Sequence, residues 1–97
     1  DEPALNKICA IELGKLSKRL QQLGYNMSIT EEAQRYVASK GYDVQFGARP
    51  LTRAIQTYIE DALGEMIVNE EISEGDTIII DCHTDDNGEK RIDISKQ

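Results

Sequence analysis

Between residues 51 and 67 the apolar side chains cover too much of a helical circumference for that helix to lie on a surface. Leu51, Ile55, Tyr58, Ala62 and Met66 recur at spacings of three and four, and Ile59, Leu63 and Ile67 widen the stripe. A surface helix buries one face and leaves the other to water. This one needs cover on more than one side, so it belongs at the centre of whatever the chain builds. A length of 97 residues allows one such centre. A chain of that size removes about 60–65% of its unfolded surface from water, enough for a core without staples. With one Phe and no Trp, that core must be aliphatic.

The rest of the chain supplies the cover. Leu5, Cys9, Leu13, Leu16, Leu20 and Leu23 share one helical face, predicting a helix over 4–23 that Gly24 ends. Tyr25, Met27 and Ile29 alternate with Asn26 and Ser28, the period of a half-buried strand. Thr30 can cap a helix over 31–40, with Glu31 and Glu32 at its positive end and Gly41 as its C-terminal cap. The segment "YDVQFG" reads as a loop, and the apolar helix starts near Pro50, with Asp61 and Gly64 marking a kink or a restart. "SEGD" is a turn, and "TIIIDCH" and "KRIDIS" are strands joined through "TDDNGE", a hairpin signal. The order helix, strand, helix, helix, strand, strand predicts an α+β fold. Three helices pack on a small three-stranded sheet, with residues 1–97 as one unit.

Charge excludes some functions. The net charge is −7: residues 60–97 hold 12 acids and 3 bases, residues 1–59 hold 6 acids and 8 bases. Nucleic acid and anionic membranes are poor electrostatic partners for such a chain, and no apolar run is long enough to span a bilayer. Cys9 and Cys82 show neither metal nor redox spacing, which fits a reducing compartment and a cytoplasmic location. A first residue Asp rather than Met suggests a piece of a longer polypeptide.

Catalytic motifs fail on inspection. "LGKLS" has the Gly-Lys of a phosphate loop, but Cys9 stands where Gly is required and Leu16 where Ser or Thr is required. "HTDDNG" is unlike a calcium loop: counted back from Gly88, the first ligand would be His83 and the twelfth Ile94. Asp81 and His83 can share a strand face, yet two ligands at a strand end do not make a metal site. His83 is the sole histidine, and although Cys82 directly precedes it, nothing in the sequence points to a nucleophilic dyad. The acid pairs Glu60-Asp61, Glu70-Glu71 and Glu74-Asp76 fall at exposed positions.

One stretch is left unexplained by folding. Pro50 suits the first position of a helix, which makes Arg49 the cap. Arginine cannot accept a hydrogen bond from the free N–H groups, and its charge opposes the helix dipole at a cost of roughly 0.3–1 kcal/mol. Arg53 adds a second cation in the first turn, and Gly47 and Ala48 leave the backbone open to close approach. An external anion would satisfy N–H groups, dipole and guanidinium together. An ion pair between Asp43 and Arg49 would do so internally.

The stretch "GYDVQFGARPLTRAIQTYIEDALGEMIV" resembles the C-terminal small subdomain, or lid, of the second AAA+ module of Clp ATPases in the ClpC, ClpB and ClpA group, most of all the ClpC branch. "LNKICAIELGKLSKRLQQLGY", "ITEEA" and "EGDTIIID" extend the resemblance over nearly the whole chain. It implies that Arg49 is the sensor-2 arginine contacting the terminal phosphate of ATP, with Ala48 and Gly47 beside the nucleotide. The ATP and its Mg would be held mainly by the preceding large subdomain. It also implies neighbouring subunits of a hexamer, unfolded protein substrates and a ClpP-like peptidase as partners. A phosphate loop and a magnesium-binding acidic strand are missing, so the segment alone is not expected to bind or hydrolyse ATP. The chain departs from related sequences in having Val44 and Ala62 where proline is frequent, which opens the alternative that the long helix runs on past Asp61. Two rival readings stand beside this one: a free-standing protein-interaction domain with no nucleotide role, and a small enzyme, for which no acid–base or nucleophilic cluster speaks.

Overall fold

The computed structural model describes residues 2–42, 45 and 50–97. Helix α1, Glu2–Gln22, buries Leu5, Cys9, Leu13, Leu16 and Leu20 along one face. Leu23, assigned to that face by spacing, is 59% exposed. The helix stops before it, in a Schellman turn. Tyr25 N–H donates to Leu20 O at 2.8 Å and Gly24 N–H to Gln21 O at 3.0 Å, with Gly24 at φ 95°.

Strand β1, Asn26–Ile29, leads through Thr30 into α2, Glu31–Lys40. Thr30 is a working N-cap, its Oγ1 accepting from Ala33 N–H at 3.1 Å. Gly41 closes α2, but not in the left-handed conformation of a glycine cap: its φ is −94°. A close approach requires glycine here instead. A Cβ on Gly41 would lie 2.7 Å from Leu51 Cα, nearer than atoms can pack.

The apolar helix is one helical run with an irregular middle, and it is covered on one face rather than on several. Leu51, Ala54, Ile55, Ile59 and Leu63 are buried, Tyr58, Ala62, Met66 and Ile67 only half-buried, and Thr52, Arg53, Gln56, Asp61 and Glu65 exposed. Helix α3, Leu51–Ile55, passes into a π segment, Gln56–Glu60, and then into α4, Asp61–Val68. Asp61 N–H donates to Gln56 O, five residues back, which widens the turn. The run continues past Asp61, since Ala62 removes no N–H and brings no ring against the preceding turn. The widened turn has a packing consequence. Side chains four apart on a straight α-helix drift by about 40° per step. The π turn takes back part of that drift, and Ile55, Ile59 and Leu63 are all at most 3% exposed. The run ends with Glu70 at φ 60°, its N–H donating to Ile67 O while Glu71 N–H donates to Met66 O.

Strands β2, Thr77–Thr84, and β3, Lys90–Lys96, complete a sheet in the order β1-β2-β3. β1 pairs parallel with β2, Asn26 opposite Thr77 through Ile29 opposite Ile80, and β3 pairs antiparallel with β2. The hairpin turn is organised by Asp85, whose Oδ1 accepts from the N–H groups of Asn87 and Glu89 at 2.9 Å, with Gly88 at φ 82°. The inner sheet face carries Ile78, Ile80 and Cys82, flanked by Met27, Ile29, Ile92 and Ile94, and it joins the helices in one apolar cluster. The expected α+β fold, helices on a three-stranded sheet, is what forms.

Candidate functional site

The segment of interest runs from the end of α2 to the start of α3. Its two ends meet, because Gly41 packs against the backbone of Leu51. Gly47, Ala48 and Arg49, the residues expected to meet nucleotide, belong to this loop and lie outside the described residues, as does Asp43, the alternative partner of Arg49.

Its downstream end is described, and differs by one residue from expectation. Helix α3 starts at Leu51 with Pro50 as its cap: Pro50 O accepts from Ala54 N–H at 2.9 Å, and no side chain caps the helix. The contrast with α2 is chemical. There a threonine hydroxyl satisfies an N–H group, and Glu31 and Glu32 sit in the first turn. At α3 there is no side-chain acceptor and no acid in the first turn. Arg53 is exposed and forms no ion pair with the described residues. Among the described residues, no side chain caps or neutralises the positive end of the run from Leu51.

Beside the upstream end lies a cavity of about 490 Å³, lined by Leu5, Asn6, Arg35, Ala38, Ser39 and Tyr42. Asn6 Oδ1 faces no hydrogen-bond partner there although it is buried. The sequence reading missed this cavity, since it arises where the start of α1 crosses the end of α2. The half-exposed Tyr42, first residue of the loop, was the only local signal.

Other constellations are settled by their contacts. Asp81 and His83 do share the outer sheet face, but they separate. Asp81 Oδ1 accepts from Thr30 Oγ1 at 2.9 Å and from Cys82 N–H at 2.8 Å, and these two bonds hold its carboxyl below the ordinary range. His83 Nδ1 lies 2.6 Å from Asp93 Oδ2. Glu32, Asp81 and Cys82 bring three ligand atoms within 4.8 Å of one another. Lys90 already neutralises Glu32 at 3.3 Å. Burial, with the charge of Glu32, raises the Cys82 thiol and disfavours the thiolate a metal needs. Cys9 is fully buried, its thiol pushed up to about 11 by desolvation. Both cysteines are free. Among the described residues no helix is long and apolar enough to cross a membrane.

Comparison with known proteins decides the family. The family described as the C-terminal, D2-small domain of ClpB protein matches residues 1–80, a span that includes Gly47, Ala48 and Arg49. The chain belongs to that family. Its relatives include the chaperone protein ClpB of Aquifex aeolicus, 40% identical over 77 residues that cover 79% of the chain. The ATP-dependent Clp protease ATP-binding subunit ClpC of Staphylococcus saprophyticus is 40% identical over 93 residues, or 96% of the chain, and that of Staphylococcus aureus is 39% identical over the same share. The aligned part is 8% of the ClpB protein and 11% of the ClpC proteins, so this D2-small domain spans about a tenth of these relatives.

Proposed function

We propose that this D2-small domain is the lid of an ATP-driven protein unfoldase, with Arg49 reading the terminal phosphate of ATP held by a preceding large subdomain. The family membership supports the setting. The observation that carries the site is the bare start of α3, with no capping side chain and no first-turn acid, in a chain that caps α2 conventionally. That donor set fits a phosphate: free N–H groups, a helix dipole and guanidinium groups all favour an oxyanion, and none accepts a proton.

When bound, ATP and its Mg supply the chemical energy, and this chain's residues sense it. Arg49 would hold the phosphate oxygens through its planar fork, and Gly47 and Ala48 would let the loop backbone approach. The closed base of the loop, Gly41 against Leu51, would pass a pull on Arg49 into α2 and the helical run as one rigid body. Loss of the phosphate then releases the lid, and a hinge to the large subdomain turns that release into motion. In the longer protein such lids would sit between subunits of a cytoplasmic hexamer that threads unfolded chains, in the ClpC case toward a peptidase.

The test is Arg49→Ala in the full-length protein. ATP turnover is expected to fall at least tenfold, about the effect of losing one charge-assisted contact to a buried phosphate. The melting temperature is expected to hold, since an arginine at a helix start contributes nothing favourable to it. Normal turnover with unchanged stability would sink the reading, and a collapse in stability would favour the internal pair with Asp43.

A further inference from the structure

Away from the loop, three elements converge on a notch of about 450 Å³. The end of α2 contributes Tyr36 and Lys40, the π segment Thr57 and Tyr58, and β3 Lys90 and Arg91, with one acid, Glu89, just before β3. The geometry points to a docking site for a carboxylate-bearing segment of a partner protein. Three of the chain's 11 basic residues line this one notch, in a molecule whose net charge is −7.

Its walls are aromatic. Tyr36 and Tyr58 meet edge to face with ring centroids 5.7 Å apart, and Lys40 Nζ lies 5.4 Å from the centre of the Tyr36 ring. Thr57 and Tyr58 belong to the π segment, and such turns are frequent at functional sites. Ring faces and the neighbouring Ile92 offer apolar contact to the methylene stem of a glutamate, while the cations take its head.

Two of the cations are already engaged with carboxylates. Lys90 pairs with Glu32 at 3.3 Å, and Arg91 with Asp85 at 3.0 Å and Glu89 at 3.6 Å. All these side chains except Asp85 are about half exposed or more, and exposed pairs exchange partners at little cost. Lys40 forms no ion pair among the described residues, so an arriving carboxylate displaces none of them there. Residues 60–97 hold 12 acids against 3 bases, and two of those bases, Lys90 and Arg91, line the notch, so the rest of that half disfavours the same segment.

The experiment titrates the isotope-labelled chain with an N-acetylated, C-amidated tetraglutamate peptide, its glutamine counterpart and inorganic phosphate. Amide shifts are expected at Tyr36, Lys40, Thr57, Tyr58, Lys90 and Arg91 with the glutamate peptide alone, weakening as salt rises. Lys40→Gln and Arg91→Gln are each expected to weaken binding roughly fivefold. Arg19→Gln removes an exposed cation elsewhere, one paired with Glu60, and is expected to leave binding unchanged. Equal weakening by all three variants, shifts with the glutamine peptide, or shifts with phosphate only would overturn the assignment. Each substitution is at an exposed position, so folding is not at stake.

Discussion

Gly41 and Gly14 share a residue type and answer to different physics. Gly14 lies exposed in the middle of α1 with open space around its Cα. Alanine there restricts the unfolded chain and suits the helix, and Gly14→Ala is expected to stabilise the domain by about 0.5–1 kcal/mol. Gly41 has an ordinary φ, so a side chain is not forbidden by the backbone. It is forbidden by Leu51, whose Cα would stand 2.7 Å from the new Cβ and whose backbone cannot swing away as a flexible side chain would. Gly41→Ala is expected to cost roughly 1–3 kcal/mol, the range for overpacking. Urea denaturation of both variants checks the pair, and a neutral Gly41→Ala would mean that the loop base is looser than described.

The elements begin and end by devices of uneven visibility. Thr30 before Glu31 and Glu32 announces the start of α2, and Gly24 the end of α1, because each is a short contiguous signal. The end of α4 carries no such signal. Glu70 takes the left-handed position of a Schellman turn, where glycine is the usual occupant, at φ 60°. A Cβ in that conformation costs roughly 1–2 kcal/mol. Glycine relieves it but loses more freedom on folding, so Glu70→Gly is expected to raise stability by about 0.5–1 kcal/mol, read as a higher urea midpoint. A fall in the midpoint would show that Glu70 is held by contacts outweighing its strain. The π segment was equally hidden. Asp61 and Gly64 signalled irregularity, but the widened turn lies before them, where "QTYIE" has nothing unusual in composition. What favours it is the tertiary need to bury Ile55, Ile59 and Leu63 together.

At the scale of the molecule, one core joins both faces of the problem. Cys9 sits at its centre on α1, 0% exposed, its Sγ 3.9 Å from Gln34 O of α2, while Cys82 lines the sheet side at 8% exposed. Burial holds the Cys9 thiol protonated, up to about 11, so at neutral pH it reacts only when the core opens. Labelling of Cys9 by an aromatic disulfide reagent is therefore expected to be slower than for an unfolded thiol by about a thousandfold or more, and to accelerate with urea in step with global unfolding. Rapid labelling of the folded chain would contradict a single closed core. The periodic spacing of apolar residues is a local property, written along the chain, and it was enough to place the helices, the strands and most of the inward side chains, Leu23 excepted. The "GARP" stretch was equally local, so a helix start near Pro50 without a conventional cap was readable before any fold was known, although Pro50 and not Arg49 is the cap. Contacts between distant segments obey no such spacing. The parallel pairing of β1 with β2, the meeting of Gly41 with Leu51, and the convergence of Tyr36, Tyr58 and Arg91 arise only when amphipathic faces are packed against one another. Each depends on which of several apolar surfaces finds which partner, and that choice is made by shape and volume in the assembled core rather than by the order of residues in any one element.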